Sequence, residues 1–204
     1  MQPHKNINKT ALLSKFYLRQ LENVELTISN DLVKSITKKA MKQSAVLIPL
    51  IIRNDVIHII LTKRCAHLRH HPNQISFPGG KIDTSDNSLR HTALRETYEE
   101  LAIESKYINV IGELPLHHTM TGFSIKPFIA FVDNKIAMKA NSNEVSEIIE
   151  VPIIDLMNNK DHFSLSIKRS SINMNVYFKP VNGHVIWGAT AAMLEQFTLS
   201  LLDE

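Results

Sequence analysis

The chain has 204 residues, of which 44% are hydrophobic and 21% charged, and its formal net charge is +3. This length suits one domain with a well-buried core, so we predict a single domain over residues 1–204. The small basic excess permits an anionic substrate but falls short of the dense basic surface of nucleic-acid-binding proteins, and a single cysteine, Cys65, excludes an internal disulfide.

The sequence contains no segment that we expect to enter a membrane. Its longest apolar run, "AVLIPLII" from Ala45, is far shorter than the roughly 20 residues that span a bilayer. The first residues, "MQPHKNINKTALLSK", lack the continuous hydrophobic stretch of a secretion signal. We therefore expect a cytoplasmic protein with no membrane and no nucleic-acid partner.

The first part of the chain predicts helices followed by a hairpin. Apolar spacing predicts a helix over 10–23 and a second one over 30–43, so residues 1–43 form a predicted N-terminal helical extension. Two strands rich in β-branched residues follow, joined by a turn at Arg53-Asn54-Asp55. The next segment, "HPNQISFPGGKIDTSDNS", predicts loops and turns because it is rich in Pro, Gly, Asn and Asp.

The rest of the chain mixes strands and helices. We predict a helix over 88–102, strands over 107–116, 124–133 and 145–153, a short helix over 152–159, strands over 164–171 and 174–180, a turn at Asn182-Gly183 and a helix over 188–202. Because strands and helices alternate irregularly, the predicted fold class is α/β, with helices on both faces of a mixed sheet.

The helix over 88–102 carries an acidic stripe. Three glutamates fall within an arc of roughly 100°, namely Glu96, Glu99 and Glu100. Leu94, Tyr98 and Leu101 lie on the opposite side, which predicts an amphipathic helix with its acidic stripe turned away from the core. One interpretation is a solvated face with Arg95 and Glu99 as an ordinary ion pair. The other is a site for a hard divalent cation, which binds carboxylate oxygens.

The preceding loop, "FPGGKIDTSD", favours the second interpretation. Gly79 and Gly80 allow a ligand to approach main-chain N–H groups closely. Asp83 and Asp86 add two carboxylates just before the helix. Loop and helix together gather acidic groups around one point.

Residues 80–102 resemble the box that defines the Nudix family. The matching positions are Gly80, Arg95, Glu96, Glu99 and Glu100. Asp86 stands where glutamate is usual, one extra residue separates it from Arg95, and Ala102 replaces the glycine that usually ends the helix. The resemblance implies a Nudix-type α/β/α sandwich in which the box forms a loop–helix–loop.

The same departures resemble one branch of the family, the coenzyme A pyrophosphatases. The segment "LTKRCAHLRHHPNQISFPGGKIDTSD" fits that branch's upstream signature at Leu61, Thr62, Arg64, Leu68, Arg69, His71, Phe77, Pro78, Gly79, Gly80, Asp83 and Asp86. Cys65 replaces a serine and Asn73 a glycine, and asparagine tolerates the left-handed backbone better than most residues. Later segments extend the likeness to roughly residues 45–194.

The resemblance implies a metal site with defined roles. Mg²⁺ or Mn²⁺ would be held by Glu96 and Glu100, with Glu99 as a further ligand, and Arg95 would orient Glu99. The alternative for Arg95 is an exposed ion pair. Water would attack a pyrophosphate phosphorus, and Glu99 is one candidate base. A later acidic residue, Glu144 or Glu147, is another, unless it is only a charge at a strand edge.

Substrate contacts are expected just before and within the glycine loop. Arg64, Arg69 and His71 could meet the phosphates of coenzyme A, because guanidinium groups bind such oxyanions well. Gly79 and Gly80 would bring main-chain N–H groups close to the same substrate. Surface charge or loop anchoring is the alternative for the three basic side chains.

The leading hypothesis is a metal-dependent hydrolase that splits coenzyme A and its derivatives into 4′-phosphopantetheine and adenosine 3′,5′-bisphosphate. A second hypothesis keeps the chemistry but changes the substrate to ADP-ribose, NADH or a nucleoside triphosphate. A third is a catalytically silent nucleotide sensor, which the retained carboxylates disfavour. For the N-terminal helices two roles stay open: they form the contact of a homodimer, or they simply cover the sheet.

Overall fold

The computed structural model describes residues 7–21, 41–158, 161–169 and 172–202. The helices of these residues are α1 (Lys9–Leu21), α2 (Leu89–Leu101), α3 (Ile153–Asn158) and α4 (Gly188–Leu199), with a 3-10 turn at Ser105–Tyr107. The strands are β1 (Lys42–Arg53), β2 (Val56–Arg64), β3 (Ile75–Ser76), β4 (Gly79–Lys81), β5 (Ile108–Glu113), β6 (His117–His118), β7 (Phe123–Val132), β8 (Val145–Pro152), β9 (Phe163–Arg169), β10 (Ile172–Val181) and β11 (His184–Trp187).

The larger sheet is mixed, as the sequence predicts. Its central strand β1 runs antiparallel to β2 and β4 and parallel to β7, and β7 pairs antiparallel with β5 and β6. On the other side, β2 pairs antiparallel with β3 and β8. The predicted hairpin is confirmed: Asn54 and Asp55 both have positive φ, the backbone of a two-residue type I′ turn.

Helices cover both faces of this sheet. The side chains of β1 are apolar on both faces, and each face packs in a core of its own. Ile48 and Leu50 point into a large core that also holds the buried side chains of α1, α3 and α4. Leu47 and Ile51 point the other way, towards α2. The predicted α/β/α sandwich is therefore confirmed.

A second sheet of three antiparallel strands, in the order β11–β10–β9, packs one face on α4. Asn182-Gly183 forms the predicted turn, with positive φ at both residues. Five large apolar side chains on the other face are 44–52% exposed: Phe163, Leu165, Ile167, Val185 and Trp187.

Helix α1 belongs to the main core. Leu12 and Phe16 are buried, and the Phe16 ring packs edge-on against Phe197 of α4 at 6.3 Å between centroids. The second predicted helix, over 30–43, lies outside the described residues up to position 40. Its last three positions are wrong, because Met41 is not helical and Lys42 and Gln43 begin β1. No helix in the described ranges has the length and apolar character to cross a membrane.

Candidate active site

Capping residues define both ends of helix α2. The Ser88 side chain accepts a hydrogen bond from the His91 N–H at 3.1 Å, an N-cap. At the other end Ala102 adopts φ of +56°, and its N–H donates to the Tyr98 carbonyl at 2.8 Å. The predicted span of 88–102 is confirmed to within one residue at each end.

The rotation of α2 differs from the prediction. Tyr98, predicted to face the core, is 55% exposed, and Leu94 is only partly buried. The buried face instead carries Thr92, Ala93, Thr97, Glu100 and Leu101. Small side chains such as Ala93 let the helix approach β1 closely, so one edge of the acidic stripe turns inward.

Glu100 is buried where α2 meets β2, with 3% of its surface exposed. Its Oε2 atom accepts a hydrogen bond from the Thr62 hydroxyl at 3.1 Å, and its carboxylate accepts another from the Gly79 backbone N–H. Burial raises the pKa of Glu100 to about 7; the Thr62 bond opposes this rise, and the charge of Glu96 adds to it. A buried carboxylate with a neighbouring negative charge is a strong candidate for a cation ligand.

Glu96 lies one turn earlier and its carboxylate packs against the Cα of Gly80. A Cβ on Gly80 would collide with the carboxyl carbon and both oxygens of Glu96, so glycine here lets this carboxylate keep its position. Burial raises the pKa of Glu96, a bond from Arg95 opposes the rise, and the charges of Glu99 and Glu144 add to it. Gly80 therefore makes space for the Glu96 carboxylate, a structural role of this glycine that the sequence did not reveal.

Arg95 binds the acidic groups around it. Its Nε and Nη2 atoms donate to the two carboxylate oxygens of Asp86 at 3.0 and 2.9 Å, and Nη1 donates to Glu96 and Glu99, each at 3.0 Å. The Asp86 side chain is fully buried and also accepts from the Thr92 hydroxyl at 2.9 Å. The Arg95 bonds hold the pKa of Asp86 well below its usual range. Asp86 therefore anchors Arg95, a role that sequence reasoning missed.

The other predicted residues lie at different distances from this cluster. Arg64 is partly buried, its charge acts on Glu100, and its Nε is buried without a hydrogen-bond partner in the described structure. Arg69 and His71 are exposed on the loop between β2 and β3, and the described residues show no hydrogen bond from either to the carboxylates. His71 and Asn73 both have positive φ, as expected where Asn73 replaces a glycine.

Glu144 and Glu147 differ in what they contact. Glu144 is exposed just before β8, close enough for its charge to raise the pKa of Glu96. Glu147, two residues into β8, lies 3.6 Å from both Lys63 Nζ and His184 Nε2. Of the two, Glu144 is the one associated with the carboxylate cluster.

The NUDIX domain family model matches residues 41–168, more than half of the chain. The chain belongs to the Nudix family of hydrolases. Curated relatives agree: "Uncharacterized Nudix hydrolase NudL" of Yersinia enterocolitica is 37% identical over 153 residues, which are 75% of this chain and 78% of the relative. The protein of the same name from Enterobacter sp. strain 638 is 34% identical over 160 residues, 78% of this chain and 83% of its own length.

Solved Nudix structures are more distant. The NUDIX domain of Shewanella oneidensis NrtR, complexed with ADP ribose, aligns with a TM-score of 0.48 at 22% identity and covers 65% of this chain and 87% of its own. A C. elegans Ap4A hydrolase aligns with a TM-score of 0.47 at 19% identity over 54% and 80% of the two chains.

Nudix hydrolases generally use divalent metal ions, and part of the acidic helix fits one. Glu96 and Glu100 offer hard oxygen donors close enough for their charges to interact, and burial disfavours their charged forms unless a cation compensates. Glu99 is half exposed and bonded to Arg95. Among the described residues, no three acidic, imidazole or thiol side chains are already arranged around one metal position.

Proposed function

We propose that this Nudix hydrolase splits the pyrophosphate bond of coenzyme A and its derivatives, giving 4′-phosphopantetheine and adenosine 3′,5′-bisphosphate, with Mg²⁺ or Mn²⁺. The observation that supports this chemistry is the pair of inward-facing carboxylates, Glu96 and Glu100. Arg64 lies near them, and among the described residues its buried Nε has no hydrogen-bond partner. The substrate assignment rests on the upstream signature that begins at Leu61. We place this activity in the cytoplasm.

Glu96 and Glu100 would supply the protein's oxygen ligands, and Glu99 would be a further ligand. When bound, the divalent ion neutralises phosphate oxygens and lowers the pKa of the attacking water. Arg95 is held by its two bonds to Asp86, and its Nη1 atom orients Glu96 and Glu99.

A carboxylate near the phosphorus accepts the proton of the attacking water. Glu99 and Glu144 are the two candidates. Glu99 is half exposed, and Glu144 is exposed on a loop close enough for its charge to act on Glu96. Glu147 is the weaker choice, because Lys63 and His184 both lie near its carboxylate.

Basic side chains on the approach to the site bind the substrate's phosphates. Arg64 is partly buried and its charge acts on Glu100, so its guanidinium is our candidate for binding the diphosphate. Arg69 and His71 are exposed on the β2–β3 loop, where they are available to the more distant 3′-phosphate. Of the two glycines in the loop, Gly79 already uses its N–H to bind Glu100, so Gly80 is our candidate for a main-chain contact to the substrate.

Glu100→Gln tests the metal assignment. The amide keeps the shape of the side chain but removes its charge, so we expect turnover of coenzyme A with Mg²⁺ to fall by at least about 100-fold. The matched control is Glu104→Gln, which changes an exposed glutamate just beyond the same helix and should retain parental turnover. Parental turnover in Glu100→Gln would contradict the proposed site.

A further inference from the structure

The face of β2 that lies under α2 becomes more polar towards the acidic helix. Alternate side chains of a strand share a face, and here they are Ile60, Thr62 and Arg64. Ile60 packs in the same buried cluster as Leu101, while Thr62 bonds to Glu100. The apolar Ile60 of the strand thus lies near Leu101 of the helix, and the polar Thr62 lies near Glu100.

Thr62 has one hydroxyl proton and two acceptors within reach. The Glu100 Oε2 atom lies 3.1 Å from its hydroxyl oxygen, and the Ser76 carbonyl oxygen lies 3.4 Å away. The carboxylate oxygen is the closer acceptor, and it is the stronger one when Glu100 is ionised, as metal binding requires. Thr62 is only 1% exposed, so water does not compete for this bond.

We propose that Thr62 is a positioning residue that fixes the orientation of the Glu100 carboxylate for metal binding. The hydroxyl donates to Oε2 and makes no bond to Oε1, so Oε1 is the oxygen that we propose for the metal. This inference rests on the proposed function, in which Glu100 is a metal ligand. Hydrogen-bonding partners of metal ligands commonly change metal affinity by about 10- to 100-fold.

Thr62→Val tests the role of the hydroxyl, because valine has nearly the same shape but donates no hydrogen bond. We expect Mn²⁺ alone, titrated into the full chain and followed by the electron paramagnetic resonance of free Mn²⁺, to bind about 10-fold more weakly. The matched control is Thr97→Val, since Thr97 is also buried but bonds only to the Ala93 carbonyl of its own helix. It should bind Mn²⁺ as the parent does.

A second comparison removes the effect of packing. Thr62→Ser and Thr62→Ala both lose the methyl group and differ in the hydroxyl, so only the alanine variant should bind Mn²⁺ about 10-fold more weakly. This pair also serves if Thr62→Val does not fold. Equal Mn²⁺ affinity in the serine and alanine variants would overturn the inference.

Glu100→Gln separates this inference from the proposed function. If Glu100→Gln loses Mn²⁺ binding while Thr62→Ala retains it, the metal site stands and the role of Thr62 is wrong. If Glu100→Gln binds Mn²⁺ as the parent does, the proposed metal site itself is wrong, and the positioning role falls with it. None of these readouts depends on which substrate the enzyme hydrolyses.

Discussion

At the scale of single residues, Arg95 neutralises much of the acidic helix. One guanidinium donates to Asp86, Glu96 and Glu99 at 2.9–3.0 Å. Its bond to Asp86 is bidentate, which is the strongest geometry for such a pair. The repulsion among the glutamates is therefore partly relieved by the protein itself, and the buried Glu100 is the carboxylate that most needs a cation.

His117 makes stability sensitive to acid. Burial, and after it the charge of His118, lower the pKa of His117 from 6.5 to about 4. Because the folded pKa is lowered, the contribution to stability is present above about pH 6.5 and is lost as the pH falls through about 4. We expect His117→Gln to remove up to about 3 kcal/mol of the fall in unfolding free energy between pH 7 and pH 4, measured by urea unfolding.

The matched control for this prediction is His70→Gln, at an exposed position. It should retain the parental dependence of unfolding free energy on pH. If His117→Gln follows the parental curve as well, His117 does not titrate as the structure indicates.

The sequence predicted the acidic residues of the helix and the Arg95–Glu99 pair, but not the partners of Glu100 and Asp86. The Thr62 hydroxyl is 38 positions from Glu100, and only the packing of α2 against the sheet brings them together. The Asp86–Arg95 pair escapes prediction for a different reason: the position of Asp86 suggests one more carboxylate of the cluster, whereas its buried oxygens bind Arg95. Pairings of this kind depend on burial, which a motif does not encode.

At the scale of elements, the limits of α2 followed from local chemistry while its rotation did not. Turn and cap residues act over a few positions, so both hairpin turns and both ends of α2 could be predicted. Hydrophobicity alone did not predict which face of α2 is buried, since Ala93 and Thr97 are buried and Tyr98 is exposed. Short strands such as β3 and β4 were missed because their pairing is entirely non-local.

The C-cap of α2 predicts a stabilising substitution. Ala102 holds a left-handed backbone, with φ of +56°, that costs an L-residue roughly 1–2 kcal/mol and costs glycine little. Ala102→Gly should raise the unfolding free energy by about 0.5–1 kcal/mol, after the greater freedom of glycine in the unfolded chain is subtracted. Thermal unfolding measures this difference. Ala66→Gly, at an exposed position without positive φ, should not stabilise, and the account of the cap is wrong if Ala102→Gly does not stabilise either.

At the scale of the whole molecule, α1 closes the core on the face opposite α2. The Phe16 ring lies against Gly112 of β5, where any side chain would collide with it, and against Phe197 of α4. Helical periodicity predicted α1, and the mixture of strands and helices predicted cover on both faces. Which face each helix covers depends on connections that periodicity does not describe. A homodimer stays a prediction.

Phe16→Ala tests whether α1 is integral to the fold. The buried ring should cost about 3–5 kcal/mol of unfolding free energy when it is removed, measured by urea unfolding. Leu18→Ala, two residues away and 58% exposed, is the control and should cost less than about 1 kcal/mol. Equal losses for the two variants would show that α1 is not packed as described.

Product identification by mass spectrometry tests the proposed function most directly. The full chain is incubated with Mg²⁺ or Mn²⁺ and equal amounts of coenzyme A, ADP-ribose, NADH and a nucleoside triphosphate. The account predicts adenosine 3′,5′-bisphosphate and 4′-phosphopantetheine as the dominant products, formed only with the metal. Dominant cleavage of another substrate would contradict the coenzyme A assignment, and no cleavage at all would contradict the proposed enzyme and favour a nucleotide-binding role.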